Sequence, residues 1–295
     1  MNKHFKTQLQ QHVAASLLQG DGYTQSELAR KRGVDKAYVS QIKGGKWTDN
    51  IPSASQWHKL AAFFGKAQHI ESENFRMIQH ACERAHADKG RIGIDGYTGA
   101  GKSYALAHYA QQPGVFLITC NPAMSKMDFL RAIATKVGAE TKGNAYKVLM
   151  AIVNRLKSLD NPFLIFDECE YIRPLHWHLI KALIQDLKGV CGVAVCGIIK
   201  DVLAKMAGRD KAGFPQLVRR IGHSWVNMRP IPRKEIKRFA TDNSIQDLRV
   251  VDMLYKQATD YDTLTTQVRE LVGTSERFSR AITPELYADL FYEAA

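Results

Sequence analysis

No run of eighteen apolar residues occurs anywhere in the 295-residue chain, so nothing in it reads as a helix able to span a bilayer. Met1 to Gln11 is polar and mixed rather than an apolar leader, and the expectation is a cytoplasmic protein of a bacterial or phage-infected cell. Cysteine is sparse: Cys82, Cys120, Cys169, Cys191 and Cys196 are odd in number, scattered, and without zinc-ligand spacing. That excludes a disulfide framework and fits small buried hydrophobes in a reducing compartment. Internal repeats and low-complexity tracts are also lacking, which excludes a solenoid and gives no sign of disorder. Acidic residues are outnumbered, 29 Asp and Glu against 41 Lys and Arg, for a formal net charge of +12. Such an excess points to a polyanionic partner. Nucleic acid leads over a membrane surface, because no basic amphipathic helix or lipidation signal accompanies the charge. With 45% hydrophobic residues and this length, the chain can build a real core and two domains.

What is present is organised around Asp95 to Ser103, Asp-Gly-Tyr-Thr-Gly-Ala-Gly-Lys-Ser. Gly96, Gly101, Lys102 and Ser103 satisfy the GxxxxGK[ST] spacing of a phosphate-binding loop. In such a loop backbone N–H groups wrap the phosphates, the lysine reaches the outer ones and the hydroxyl holds Mg²⁺. The candidate nucleotide-binding residues are therefore Gly96, Tyr97, Thr98, Gly99, Ala100, Gly101, Lys102 and Ser103, with ATP and Mg²⁺ as cofactors. Arg91 to Asp95 reads as the strand that aims the loop, and Tyr104 to Tyr109 opens a helix whose N-terminal donors face the same anion.

Downstream, strands are expected over Val115 to Cys120, Pro162 to Glu168, Gly192 to Gly197 and Ser224 to Met228, completing a five-stranded sheet. Helices are expected over Glu73 to Ala87, Lys126 to Val137, Asn144 to Ser158 and Pro174 to Leu187. A turn through Leu217 leads to Arg219-Arg220, and beyond Pro230 come helices Arg233 to Asp242, Leu248 to Thr259, Thr263 to Val272 and Pro284 to Glu293. The run Phe163-Leu164-Ile165-Phe166 closes on Asp167-Glu168. Apolar on both faces with acids at its C-terminal end, it reads as a Walker B strand. Asp167 would hold Mg²⁺ through water and Glu168 would polarise the attacking water.

The N-terminal 66 residues carry ten Lys and Arg against four Asp and Glu. Thr24-Gln25-Ser26-Glu27 has the form of a capping box, Gly33 supplies a turn, and Asp35 can cap a helix from Lys36 to Ile42. Gln25 to Gly44 resembles a helix-turn-helix of the phage repressor type. That resemblance implies that Lys36, Ala37, Tyr38, Ser40, Gln41 and Lys43 meet DNA; a plain helical bundle for protein contacts is the alternative.

Taken together, the phosphate loop, the Asp-Glu strand end, the arginine pair before the last strand and the helical tail resemble an AAA+ ATPase. The implied fold is α/β: an AAA+ P-loop NTPase with a five-stranded parallel sheet over residues 67–229 and a helical lid over 230–295, preceded by a small all-α helix-turn-helix domain over 1–66. In that family an arginine acts on the nucleotide of the neighbouring subunit, so the resemblance implies a homo-oligomer and a catalytic role for Arg220, with Arg219 as the alternative. The whole order is similar to the Mu B type of target-selecting ATPase in phage and transposon transposition. Implied are ATP-dependent filaments on double-stranded DNA, delivery of that DNA to a transposase, and nonspecific DNA contacts at Lys126, Lys142, Lys147 and Arg155. An ATP-responsive transcriptional regulator and a helicase loader are the other readings. Two departures accompany the likeness. Val195-Cys196-Gly197-Ile198 carries no Asn, Ser or Thr where the family usually has a polar sensor, so slow hydrolysis is expected. A second sensor arginine has no clean match, Arg269 being a candidate.

Overall fold

The computed structural model describes residues 72–208, 214–221 and 225–292, together with Ala37. The helix-turn-helix expectation and its residues Lys36, Tyr38, Ser40, Gln41 and Lys43 lie outside the described residues; Ala37 is helical and exposed. The chain divides into compact units, of which one is Ser72–Pro230 and the other includes everything from Ile231 onward.

Helix α1 (Glu73–Ala87) starts on Ser72, whose hydroxyl accepts from Phe75 N, and leads into β1 (Arg91–Asp95). The chain continues through α2 (Lys102–Tyr109), β2 (Val115–Thr119), α3 (Lys126–Val137), α4 (Ala145–Lys157) and β3 (Phe163–Asp167). A short 3-10 turn (Cys169–Tyr171) precedes α5 (Pro174–Asp186), β4 (Gly192–Gly197), α6 (Lys200–Gly208), α7 (Phe214–Ile221) and β5 (Trp225–Asn227). The five strands form one sheet in the order β2-β3-β4-β1-β5, and every pairing is parallel.

Burial on both faces explains the apolar runs. Phe163, Leu164, Ile165 and Phe166 of β3 are all fully buried. Leu164 and Phe166 pack with Phe129, Ile133, Ile152 and Trp177 from α3, α4 and α5. Phe163 and Ile165 face the other way, onto Ile78, Leu106 and Tyr109 from α1 and α2. Each such side chain contributes about 1.5–3 kcal/mol of burial, and the alternation holds the helices as layers on either side of the sheet.

One correction concerns the stretch before β5. The turn expected through Leu217 is the helix α7, because Pro215 falls in its first turn, where proline costs no hydrogen bond, and Gln-Leu-Val-Arg-Arg-Ile then continues it. Arg219 and Arg220 are therefore helical; Arg219 is exposed, and the side chain of Arg220 lies outside the described residues.

Beyond β5 the chain is tied back to the start of the unit. Asn74 is 1% exposed, and its amide exchanges two hydrogen bonds with the Arg229 backbone, Nδ2 donating to the carbonyl and Oδ1 accepting from the N–H, both at 2.9 Å. Tyr97 Oη donates to the same carbonyl at 3.0 Å. Replacing Asn74 by alanine leaves a buried N–H and C=O short of partners. The expected cost is about 2 kcal/mol, read as a fall of about 4–8 °C in the midpoint of thermal unfolding followed by circular dichroism.

From Ile231 the chain is helical: α8 (Arg233–Asp242), α9 (Leu248–Gln257), α10 (Tyr261–Phe278) and α11 (Pro284–Phe291). Ile236, Phe239, Leu254, Leu264, Leu271 and Tyr287 form their core. Tyr261 Oη donates to the buried Glu235 carboxylate at 2.7 Å. The helix expected to end at Val272 runs on to Phe278, through Gly273, a position with open space around it. A glycine inside a helix costs only about 1 kcal/mol, less than the continued ladder provides. Among the described residues no helix is long and apolar enough to cross a membrane.

Candidate active site

The site lies at the C-terminal edge of the sheet. There β1 gives way to the loop Gly96–Gly101 and α2 begins on Lys102. Gly99 and Gly101 have φ of 76° and 80°, the left-handed region that a side chain disfavours. A Cβ on Gly96 would run into Met228, so the first glycine is required by packing against the chain leaving β5. Ala100 is buried beneath the loop and Thr98 is exposed on it. Lys102 is 9% exposed, and its Nζ donates to the carbonyls of Gly96 and Tyr97, each at 2.8 Å. The ammonium thus sits inside the curl of the loop at the N-terminus of α2, where unpaired N–H groups and the helix dipole favour an anion.

The acids come from β3, two strands away, with β4 between. Asp167 is buried at the strand end; its Oδ1 accepts from Glu168 N at 2.9 Å, and its carboxylate also accepts from the Cys196 thiol. Glu168 then adopts left-handed backbone, φ 58° and ψ 38°, which costs a side-chain-bearing residue energy that the surroundings must offset. Its carboxylate accepts from the Ser103 hydroxyl. Partial burial first, and the charges of Asp167 and Glu170 second, hold the Glu168 carboxyl above the usual range, while Lys102 and Ser103 pull it down. The structure thus brings Lys102, Ser103, Asp167 and Glu168 into one network from elements 65 residues apart in sequence.

Two participants carry no sequence signal. Asp95 Oδ1 accepts from Ile199 N and Lys200 N, each at 2.8 Å, pinning the end of β1 to the start of α6. Glu170 reaches the end of β4 from the turn after β3. The five cysteines are free and buried, and burial pushes the thiols of Cys82 and Cys191 up to about 12. They are neutral small side chains, Cys196 alone touching the site's acids.

The DNA-contact candidates are spread out. Lys126 opens α3, Lys142 lies in the connection to α4 and Lys147 in the first turn of α4, all exposed. Arg155 is set apart from them: its Nε donates to Val137 O at 3.2 Å, at the C-terminal ends of α3 and α4. That is about 12 Å of helix from Lys147 at 1.5 Å per residue.

A family model described as an AAA domain matches residues 85–200, from the end of α1 to the start of α6, and so spans the phosphate loop and the acids of β3. The chain carries an AAA-type P-loop ATPase domain. No curated protein matches the chain. Among solved structures, a Walker-type ATPase of Pyrococcus abyssi is 13% identical over 73% of this chain and 70% of that one, with a TM-score of 0.53. NtrX of Brucella abortus in complex with ATP is 15% identical over 88% of this chain, with a TM-score of 0.49. The replication initiator DnaA bound to AMPPCP and single-stranded DNA is 17% identical over 72% of this chain, with a TM-score of 0.49. The chain covers 63% of the NtrX chain and 66% of the DnaA chain, so what those proteins do as wholes is not carried over. At these identities the likeness is one of fold, and it agrees with the parallel sheet of the AAA domain described above.

Proposed function

We propose that the protein is an ATP-dependent DNA-binding ATPase that assembles on double-stranded DNA and delivers target DNA to a transposase. The observation that carries this reading is a complete hydrolytic constellation, Lys102, Ser103, Asp167 and Glu168, in a chain with a formal charge of +12. The order of motifs along the chain, with a repressor-like segment ahead of the loop, supports transposition over other uses of an AAA domain.

ATP is the substrate: backbone donors of the loop and Lys102 bind its phosphates, and Glu168 takes a proton from the attacking water. The donor set fits Mg²⁺, since Ser103 and Asp167 are hard oxygen ligands joined through Glu168, and among the described residues no His/Cys/Asp/Glu group forms a cage of protein ligands alone. When bound, the ion neutralises charge on the phosphate oxygens. Arg220, or its neighbour Arg219, supplies the trans-acting cation between adjacent copies. Nonspecific phosphate contacts come from Lys126, Lys142 and Lys147, with the N-terminal segment as a further DNA contact.

The test is sedimentation and electron microscopy with random-sequence duplex. ATP and Mg²⁺ together are expected to shift the protein into large assemblies, and raising salt from 50 to 200 mM to weaken them about 10³-fold or more. A footprint confined to one palindrome would select the regulator reading, and preference for single strands the helicase-loader reading.

A further inference from the structure

The end of β4 has no hydrogen-bonding side chain to offer a nucleotide. Cys196 is used on Asp167, Gly197 has no side chain, and Ile198 is apolar and 47% exposed. The space beside Gly197 is nevertheless filled. A Cβ built there would land on Glu170 Oε2, and Gly197 has φ 151°. The left-handed Glu168 and the 3-10 turn, with Tyr171 N donating to Glu168 O at 3.2 Å, swing Glu170 back across the strand end. Gly197 pairs in register with Asp95, the residue that opens the phosphate loop. The Glu170 carboxylate therefore sits over β4, between the strand of the phosphate loop and the strand of Glu168.

Its Oε2 is sequestered and accepts no hydrogen bond among the described residues. A carboxylate oxygen in that condition weakens a fold and is a strong acceptor for whatever hydrogen is presented to it. Its charge also reaches the Glu168 carboxyl and the Cys196 thiol, which locates it in the same electrostatic cluster as the base.

We propose that Glu170 is a second catalytic carboxylate of ATP hydrolysis, whose Oε2 accepts a hydrogen bond from the attacking water and fixes its line of approach. The water oxygen bonds to the γ-phosphorus as the bond from that phosphorus to the β–γ bridging oxygen breaks. ADP leaves with the electron pair, one water proton passes to Glu168, and the hydrogen held by Glu170 stays on the product phosphate. This rests on hydrolysis at the phosphate loop and is independent of assembly on DNA.

The experiment compares Glu170→Ala and Glu170→Gln with the unmodified full chain, measuring steady-state phosphate release and binding of a fluorescent ATP analogue. Alanine is expected to lower kcat about 10- to 100-fold with KM and analogue affinity changed less than about threefold, the pattern of an interaction made in the transition state alone. Glutamine keeps an acceptor oxygen and is expected to restore most of kcat. Glu170→Met, which fills the same space without an acceptor, gives the same reading should alanine not fold. Turnover within twofold of the unmodified protein, a loss confined to KM, or a glutamine variant no better than alanine would each overturn the proposal. Glu168→Gln run beside them separates the failures, since its wild-type turnover would mean that the hydrolytic site itself is misassigned.

Discussion

Lys102→Ala is expected to remove nucleotide binding and, with it, every ATP-dependent property of the chain. The ammonium is nearly buried and donates to Gly96 O and Tyr97 O at 2.8 Å, so it serves both the closed shape of the loop and its charge. Each hydrogen bond to a charged group is worth about 1.5–3 kcal/mol, and the substitution forfeits those to phosphate while leaving two carbonyls of the loop without their donor. Affinity for an ATP analogue should fall at least about 100-fold, and phosphate release should be lost. Isothermal titration gives the first number, and far-UV circular dichroism confirms that the sheet survives. Lys102→Arg is expected to be nearly as damaging, because a planar guanidinium cannot enter a space shaped for a compact ammonium. Assembly on duplex that persists in either variant would separate DNA binding from the nucleotide and sink the proposed function; retained affinity would remove Lys102 from the site.

The strands and the loop were legible because their signals are local. Arg91–Asp95 and Gly192–Gly197 stand out as short apolar runs between breakers, and glycine spacing marks the loop whatever surrounds it. The N-cap residues Ser72, Asn144 and Asp260 likewise announce helices from a few neighbouring positions. The order of the sheet was not legible, since placing β4 between β1 and β3 depends on contacts about a hundred residues apart. Helix α7 was missed because Gly213-Phe214-Pro215 reads as punctuation, although proline in a first turn does not stop a helix. Arg155 resembles a free surface cation in sequence; its bond to Val137 O depends on how α3 and α4 pack. The role of Glu170 was hidden for a related reason. No residue string specifies that a glutamate will take φ 58°, and without that kink Glu170 has no reason to point at Gly197.

Glu168→Gln is expected to uncouple binding from turnover. The amide has nearly the shape of the carboxylate, its Oε1 can accept from the Ser103 hydroxyl as the carboxylate does, and glutamine tolerates the left-handed backbone no worse than glutamate. Affinity for ATP should stay within about threefold. What is lost is the acceptor for the proton of the attacking water, and removal of a general base typically costs about 10²- to 10⁴-fold in kcat. On duplex, the proposed assemblies should then form with ATP and persist, because disassembly waits on a hydrolytic step that no longer occurs. Light scattering after dilution into excess competitor DNA reads that lifetime directly, and a lifetime equal to that of the unmodified protein would disconnect hydrolysis from release. Ser103→Ala provides the contrast: it removes the hydroxyl that Glu168 accepts from and an oxygen suited to Mg²⁺, so the loss should appear as a steeper requirement for Mg²⁺ rather than as a trapped assembly. The two substitutions lie on opposite ends of one hydrogen bond, and only the one at the proton acceptor should leave the protein loaded, assembled and unable to let go.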